Sequence, residues 1–416
     1  MDQGFVNTGI DFSMNDPGIV PSERLLPLLD ALRQAAPVYW SKINQCWQIT
    51  GYDAVSPAYN DVRFSNNRQS SFAWRSIPPE QWEEKIPNLL RYTQSWIVNV
   101  DGPHHQRLRA VGTKALNRRF VDSLTPRIQE ISTELTEKAI RLGTVDFYND
   151  IAYYLPATVV LLLLGIPLEH LEKVREWSRA ITSALVAPFS PPELLIACDK
   201  ALGEINDLMR VEIAKRKEQP QNDLLTQLVH LADDSNKTLS EDEIFGLAHI
   251  LLTAGHDTTV NTLTLGLDAF AKNPEQAKLF LEGAVDPLTA MQEVSRFTAM
   301  STCQPRVVGE DFEFGGQPLK KGDVAFLWIA SGNHDPAKFP NPGAFDITRP
   351  NLGDVLTFGP GLHHCLGHYI ARVELAVFFK IFLARVSKIE ILDEPLDWAH
   401  MLIFRTVRHL NVRLTA

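Results

Sequence analysis

The sequence contains few cysteines for its length, and they are not arranged in pairs. Four occur among 416 residues: Cys46, Cys198, Cys303 and Cys365. Their spacing matches neither a disulfide framework nor a paired metal site, which favours a reducing compartment. The N-terminus also lacks a basic segment followed by an apolar one, the pattern of a secretory signal. We therefore expect a cytoplasmic protein.

Basic residues are outnumbered by acidic ones. The chain has 40 Lys and Arg against 50 Asp and Glu, a formal net charge of −10. This balance disfavours a dedicated nucleic-acid binder, which needs a basic surface to neutralise phosphates. No linker rich in Gly, Ser or Pro divides the chain, so we predict one large α-rich domain over residues 1–416.

Long hydrophobic runs are scarce. The most apolar stretch is IAYYLPATVVLLLLGIP, residues 151–167, and Pro156 interrupts it. A membrane-spanning helix needs about 20 predominantly apolar residues. We therefore predict a buried core helix here and no attachment to a membrane.

The stretch FGPGLHHCLG, from Phe358 to Gly367, combines one cysteine with several glycines. Gly359 and Gly361 permit backbone conformations that a side chain would forbid. Cys365 comes directly before an apolar helical pattern, where a helix N-terminus lowers the pKa of a thiol. The loop is therefore expected to favour a thiolate.

Three interpretations of this cysteine compete. A buried, inert cysteine is the ordinary one, but it leaves the glycines unexplained. A zinc site could use His363, His364, Cys365 and His368, although structural zinc usually takes paired ligands from two segments and no second pair occurs. The third interpretation is an axial thiolate on haem iron, which favours O–O bond cleavage.

A long helix is predicted upstream of this loop. Ser240 and Glu243 form a capping box, and the apolar pattern continues to Asn273 and Pro274, a stop signal. The helix would span about 30 residues, or roughly 45 Å. It contains the sequence AGHDTT, residues 254–259.

One face of this helix becomes narrow at its middle. The residues that share the face by helical spacing are Leu247, Leu251, Ala254, Thr258 and Thr262. Ala254 and Gly255 leave room there for something flat. The ordinary interpretation of Thr258 is a hydroxyl bonded to a carbonyl one turn back.

Together these segments resemble the cytochrome P-450 superfamily. FGPGLHHCLG is similar to its cysteine-ligand loop FGxGxHxCxG, and AGHDTT to its oxygen-activation motif AGx(D/E)TT. The resemblance implies a mainly α fold with a small β-rich subdomain and haem b between the long helix and the cysteine loop. Cys365 would ligate the iron, Asp257 would be the relay acid, and the Thr258 hydroxyl would hold the distal oxygen or its water.

Other family motifs occur in the expected order, namely HxxxR, ExxR and FDxxR. The resemblance assigns the cofactor to His105, Arg109, Ala254, Gly255, Arg306, Phe358, His363 and Gly367. It assigns support of the fold and of the haem loop to Glu293, Arg296 and Arg349. Met300 departs from the family, because many relatives have proline there.

The resemblance implies a monooxygenase. Relatives that consume peroxide directly usually lack the Asp–Thr pair, so we expect dioxygen to be the co-substrate and a hydrophobic small molecule to be hydroxylated or epoxidised. No fused reductase and no GxGxxG motif is found, so electrons would come from a separate ferredoxin or flavodoxin, and from NAD(P)H only indirectly. Two alternatives stay open: oxidative coupling or isomerisation on the same scaffold, and a non-catalytic haem protein that binds gases.

The predicted substrate pocket and partner surface depend on weaker signals. The candidate pocket residues are Phe72, Trp74, Trp96, Leu185, Leu247, Met300 and Thr302, although the aromatic ones could equally attach a loop to the core. A predicted helix over residues 102–120 presents Arg107, Lys114 and Arg118 on the side opposite His105. A solvated surface is the ordinary interpretation of that face; the alternative is a docking surface for an acidic redox partner of a monomeric enzyme.

Overall fold

The computed structural model describes residues 10–67, 76–185, 190–231 and 238–416. Its α-helices are α1 (Ser22–Ala35), α2 (Tyr52–Asn60), α3 (Trp82–Lys85), α4 (Pro87–Tyr92), α5 (Gly102–Ala115), α6 (Arg118–Leu142), α7 (Tyr154–Leu164), α8 (Leu171–Leu185), α9 (Pro192–Glu218), α10 (Leu224–His230), α11 (Glu241–Lys272), α12 (Pro274–Glu282), α13 (Pro287–Thr298), α14 (Ile329–Asn333) and α15 (His368–Arg385). Its β-strands are β1 (Val38–Ser41), β2 (Cys46–Ile49), β3 (Phe64–Ser65), β4 (Thr144–Asp146), β5 (Gln304–Val308), β6 (Phe312–Phe314), β7 (Gln317–Leu319), β8 (Val324–Leu327), β9 (Lys388–Ile391) and β10 (Asn411–Thr415). The predicted mainly α fold with a small β-rich part is confirmed.

The largest sheet joins the N-terminal segment to the second half of the chain. Its strand order is β1-β2-β8-β5-β3, and β2 and β8 pair in parallel with Trp47 opposite Ala325. Every residue of β2 and β8 is buried, since apolar clusters cover both faces of the sheet. The strand β5 is thereby placed so that Arg306, at its centre, pairs with Ala325.

The helix α11 runs through the middle of the helical layer. Ser240 accepts a hydrogen bond from the Glu243 backbone, and the Glu243 side chain accepts one from the Ser240 backbone, so the predicted capping box is present. The helix is 32 residues long and continues without a break through residues 254–259. It packs against α7, α8, α13 and α15. Its central position explains why most of its residues are buried.

The most apolar stretch forms α7 together with a preceding π-helical turn, Phe147–Ala152. Residues 147–164 would be long and apolar enough to cross a membrane, but 72% of this stretch is buried inside the fold. The helix packs against α6 and α11. Pro156 lies in its first turn, where a missing N–H costs nothing. The stretch is therefore a core helix, as predicted.

Two predictions about chain organisation were wrong. The basic helix ends at Ala115, and α6 begins at Arg118 after Asn117, whose side chain accepts a hydrogen bond from the Phe120 N–H at 3.0 Å. Arg118 therefore does not share a helix with His105. The sequence also loses its helical periodicity over residues 64–100, which predicts a long irregular loop, but α3 and α4 lie within this segment. The candidate pocket residues Phe72 and Trp74 lie outside the described residues.

Candidate active site

The cysteine loop is held by its own backbone and by its glycines. The Cys365 N–H donates to the Phe358 carbonyl at 2.8 Å, and α15 begins three residues later. Gly359 and Gly361 have φ angles of +68° and +83°. A Cβ on Gly361 would lie 2.5 Å from the Asn60 side chain, so a larger residue would displace that side chain and would also be strained at this positive φ angle. These constraints fix the position from which the sulfur enters the adjoining cavity.

The pKa of the Cys365 thiol reflects two opposing effects. Burial raises the pKa of the Cys365 thiol, and this outweighs the N–H groups of Gly367 and His368 and the charge of Arg109, which lower it. Burial thus opposes the effect of the loop on this thiol. A bound metal ion deprotonates a coordinating thiol outright, so the thiolate is the form expected when a metal is coordinated.

The helix α11 forms another wall of the same cavity. Ala254, Gly255, Thr258 and Thr262 all line it, together with Leu247 and Leu251. The narrow face predicted from helical spacing is therefore confirmed. A Cβ on Gly255 would lie 3.2 Å from Val160 of α7. The Thr258 hydroxyl donates to the Ala254 carbonyl at 2.8 Å, which is the ordinary interpretation of a threonine in a helix.

Histidine and arginine side chains collect on the cavity at the side of the cysteine loop. His105, Arg109, Arg306 and His363 all line it. The His105 and His363 rings lie 3.9 Å apart, and His363 Nε2 is 3.0 Å from Asp101 Oδ1. The pKa of His105 is lowered to about 4, mainly by burial of the ring and to a smaller extent by the neighbouring His363 and Arg109.

The two arginines of this group are also fixed by contacts. Arg109 donates a hydrogen bond to the His364 carbonyl next to the cysteine. The Arg306 guanidinium is buried and lies over the Tyr59 ring.

Asp257, the other member of the predicted relay pair, faces a different direction. It does not line the cavity, and its Oδ2 accepts hydrogen bonds from Ser178 and Thr182 of α8 at 2.7 and 2.6 Å. Its Oδ1 lies 3.1 Å from His256 Nε2. In this conformation α11 therefore presents the threonine to the cavity and the acid to α8.

The comparisons with known proteins agree with this arrangement. A model of the cytochrome P-450 family matches residues 78–282 and 288–393. The chain belongs to the cytochrome P-450 family. The 6-deoxyerythronolide B hydroxylase of Saccharopolyspora erythraea is 28% identical over 387 residues, which cover 92% of this chain and 94% of that enzyme. The vitamin D(3) 25-hydroxylase of Pseudonocardia autotrophica is 32% identical over 351 residues, or 84% of this chain and 83% of that enzyme.

The fold is shared with solved cytochrome P-450 structures. The structure of a cytochrome P-450 from Chondromyces apiculatus superposes with a TM-score of 0.84 at 26% identity, covering 98% of this chain and 99% of that one. The protein is therefore an oxidoreductase of the monooxygenase class. Its cofactor is haem b, its co-substrate is dioxygen, and redox partners supply its electrons.

The cavity of this cytochrome P-450 fits haem in its donor set and its shape. The sulfur of Cys365 reaches it from one wall, while Ala254 and Gly255 leave space at another. His105 is 3% exposed and its Nε2 has no hydrogen-bond partner among the described residues, a costly arrangement unless a ligand accepts from it. Arg306 is likewise buried beside the cavity. Propionate carboxylates would satisfy both groups.

The zinc alternative does not fit the geometry. His363 contacts Asp101, His364 Nδ1 lies 2.7 Å from the Gly359 carbonyl, and His368 Nδ1 lies 2.9 Å from the Cys365 carbonyl. These contacts occupy one ring nitrogen of each histidine. Among the described residues, no group of three or more His, Cys, Asp or Glu side chains converges in a way that would hold a metal ion.

A buried ionic group connects α13 to the cysteine loop. Arg296 Nε lies 2.6 Å from Glu293 Oε2, and Arg349 Nε lies 3.2 Å from Glu293 Oε1. Arg296 also donates to the Asn333 carbonyl at 2.9 Å. The Asn333 side chain accepts from the Leu356 N–H at 2.8 Å, just before the loop. The three residues predicted to have a supporting role therefore meet in one network.

The pocket predictions met mixed outcomes. Leu247 and Met300 line the cavity. Trp96 does not, because its indole N–H points to His249 Nδ1 at 3.3 Å. Thr302 does not either, since it is fully buried and its hydroxyl donates to the Leu402 carbonyl. Both predictions were wrong because each polar group found a partner in the core. The side chain of Leu185 lies outside the described part of the chain.

Several cavity residues were not predicted from the sequence. They are Val159, Val160 and Leu163 of α7, Ile97 and Val98 before α5, Ile329 of α14, and Phe404 near the C-terminus. The composition of the α7 stretch predicted a buried core helix but gave no sign that some of its residues would line a cavity. Phe404 is placed by a bridge of its backbone to Ser301, and no local pattern marks it.

Proposed function

We propose that this cytochrome P-450 inserts one atom of dioxygen into a C–H or C=C bond of a hydrophobic small molecule, with Thr258 and Asp257 delivering protons. The observation that carries this proposal is a single cavity lined by Cys365, by the histidines and arginines around Arg306 and by Thr258. A protein that merely binds gases has no use for a proton-delivering hydroxyl at that position.

Each residue then has a definite task. Haem b, when bound, supplies the reductive activation of dioxygen. Cys365 would ligate its iron, and His105, Arg109, Arg306 and His363 would hold its propionates. Thr258 exchanges its bond to the Ala254 carbonyl for one to oxygen or water in the cavity, and Asp257 replenishes the proton that Thr258 gives away. The aliphatic lining limits the entry of other water.

The substrate is proposed to be large and apolar. One part of the cavity wall is apolar, and it consists of Leu247, Leu251, Met300 and Phe404. The two curated relatives described above are a hydroxylase of 6-deoxyerythronolide B and a hydroxylase of vitamin D(3). A binding screen over steroids, terpenes, polyketides and aromatic compounds, read from haem absorbance, identifies the class.

Isotope labelling tests the reaction itself. With a substrate from that screen, an electron supply and ¹⁸O-labelled dioxygen, we expect one labelled oxygen atom in each product molecule. Coupling or isomerisation on the same scaffold incorporates no label. A product without label would therefore overturn the proposed insertion while leaving the family assignment intact.

Replacing Thr258 with alanine is expected to uncouple the reaction. Positioned proton transfer typically contributes on the order of 10² to 10⁴ in rate, so product per electron pair should fall by about a hundredfold while oxygen consumption continues. The matched control is Thr264→Ala, which removes the same backbone bond, to the Val260 carbonyl at 2.8 Å, away from the cavity. Equal product yields in the two variants would contradict the role of Thr258.

A separate ferredoxin or flavodoxin is the proposed electron donor, and the enzyme is proposed to be a cytoplasmic monomer consisting of one domain. The basic surface predicted from the sequence needs revision, because Arg107 is paired with Glu243 and only 29% of its side chain is exposed. Arg118 is 77% exposed and lies near Tyr369 at the start of α15, which follows the cysteine loop. We propose docking there, beside Lys114. The rate of electron transfer from the redox partner is expected to fall as ionic strength rises, because salt screens attraction between charged surfaces. A rate that does not fall would contradict this docking surface.

A further inference from the structure

A second cavity lies at the C-terminal end of α11, apart from the haem cavity. Its volume is about 640 Å³, within the range of about 300 to 1,000 Å³ that is typical of small-molecule pockets. On α11 it begins at Leu265, whereas the haem cavity reaches only as far as Thr262. Among the described residues, none lines both cavities. The function proposed above gives this space no role.

The two cavities lie on opposite sides of one wall. Met300 and Phe404 line the haem cavity, while Thr298 and Arg405 line the second one. The Arg405 N–H donates to the Met300 carbonyl at 2.8 Å, which joins the two segments of chain that form the wall. A molecule in the second cavity would therefore lie directly behind residues of the haem cavity.

Arg405 is a buried cation without a counter-charge. It is 1% exposed, its Nε donates to the Val20 carbonyl at 2.7 Å, and its Nη1 donates to the Thr298 carbonyl at 3.0 Å. Its Nη2 is buried and has no hydrogen-bond partner among the described residues. Burial lowers the pKa of Arg405 to about 9, although the charge of Glu23 raises it, so the guanidinium is charged near pH 7. A buried charge of this kind is costly until an anion compensates it.

Thr298 adds a second unsatisfied group to the same wall. It is 6% exposed, and its hydroxyl has no partner in the described part of the chain. The hydroxyls of Thr253 and Thr264 each donate to the carbonyl one turn back in their helix, at 2.7 and 2.8 Å. Thr298, the last residue of α13, does not make this bond. Two donors on one wall of the cavity therefore lack an acceptor.

The acidic side chains of the cavity do not supply this acceptor. Asp268 and Glu394 belong to a separate charged group, in which Lys272 lies 3.0 Å from the first and 3.3 Å from the second. Glu23 also lines the cavity, but it is exposed and its charge acts on Arg405 without a hydrogen bond between them. An acceptor for Arg405 and Thr298 must therefore come from a molecule inside the cavity.

Ordered water would be the ordinary interpretation of such a space. A water molecule accepts a hydrogen bond but brings no negative charge, so it leaves the guanidinium uncompensated. Much of the remaining lining is also apolar, and it includes Leu26, Leu265, Ala269, Phe297, Leu396 and Trp398. Apolar surface gains stability when hydrocarbon covers it in place of water. An anion with an apolar body satisfies both parts of the lining.

We propose that the second cavity binds a molecule with an apolar body and one carboxylate, such as a fatty acid or an arylalkyl acid. The carboxylate accepts hydrogen bonds from Arg405 Nη2 and from the Thr298 hydroxyl. The apolar body contacts Leu26, Leu265 and Phe297. This inference goes beyond the proposed function and uses no step of it. Binding is measured in the resting, haem-loaded protein, so the failure of either proposal does not decide the other.

Calorimetry with 4-phenylbutyrate tests the site. We expect saturable binding, and we expect the neutral 4-phenylbutyramide to bind about tenfold more weakly, because hydrogen bonds between charged groups are stronger than neutral ones. Leu26→Trp fills the cavity from α1 and should abolish binding. Leu28→Trp is the matched control, since Leu28 is also partly buried on α1 but does not line the cavity. Equal affinities for acid and amide, or binding that survives in Leu26→Trp, would overturn the proposal.

Two further variants separate the site from damage to the fold and from the haem cavity. Glu23→Gln removes a negative charge from the lining, so 4-phenylbutyrate should bind about two- to fivefold more tightly while the amide is unaffected. A damaged fold would not tighten binding. Leu251→Trp fills the haem cavity and should leave the affinity for 4-phenylbutyrate unaltered. Loss of binding in Leu251→Trp would place the probe in the haem cavity, and no binding at millimolar concentration would mean that the second cavity holds only water; either result overturns the inference.

Discussion

Replacing Cys365 with serine is expected to abolish product formation. The hydroxyl has nearly the same size and leaves the backbone bond from residue 365 to the Phe358 carbonyl, 2.8 Å in the protein, undisturbed. What disappears is the thiolate, whose electron donation to iron favours cleavage of the O–O bond. The burial that already raises the pKa of the cysteine thiol would keep the serine hydroxyl un-ionised. We expect turnover at background level.

The spectrum distinguishes loss of the ligand from loss of the fold. The reduced carbon-monoxide complex of the thiolate-ligated protein should absorb well to the red of a histidine-ligated complex, and Cys365→Ser should lose this band. Cys303→Ser is the matched control, since Cys303 is a free, fully buried cysteine in the cluster around α1 and does not line the cavity. It should keep the band. Retention of the band by Cys365→Ser would mean that another group ligates the iron.

Replacing Glu293 with glutamine is expected to destabilise the protein strongly. Glu293 and Arg296 are fully buried, and Arg349 is nearly so. Removing the carboxylate leaves two guanidinium groups without their counter-charge, and breaking such a buried pair costs about 3 to 5 kcal/mol. Total folding stabilities are roughly 5 to 15 kcal/mol. Because Arg296 also bonds the Asn333 carbonyl, the same change should loosen the start of the cysteine loop.

The measurement is the denaturation midpoint and the haem content of purified protein. The matched control is Glu390→Gln on the edge strand β9, which breaks an exposed pair with Arg413 of the antiparallel neighbour β10 at 3.1 Å. Exposed pairs contribute at most about 1 kcal/mol, so this variant should stay close to the unaltered protein. A Glu293→Gln protein with an unchanged midpoint and full haem content would show that the network has no supporting role.

The parts of the site that were predictable from sequence are those in which local chemistry decides the structure. Gly359 and Gly361 mark positive φ angles, and the observed angles are positive. Ser240 and Glu243 mark a helix start, and the capping box is present. One local signal was overlooked: Asn117 is a good N-cap residue, and it separates α5 from α6 where continuous periodicity had been assumed.

The failed predictions concern side chains whose direction depends on distant partners. Trp96 points at His249, which is 153 positions away in the chain, and the Thr302 hydroxyl points at Leu402, 100 positions away. Residue type indicated that each could line a pocket. Buried polar groups take the nearest acceptor that the fold provides, and no pattern within a short window contains that acceptor.

The sequence by itself determined the family, the mainly helical fold, the glycine-shaped loop that carries Cys365 and the narrow face of α11, because their motifs are read from residues close together in the chain. The tertiary structure alone decided that burial raises the pKa of the Cys365 thiol, that Asp257 turns toward α8 while Thr258 turns toward the cavity, and that Phe404 lines the same cavity as Met300. These outcomes depend on burial and on partners far away in the chain, and both come into existence when the helices pack.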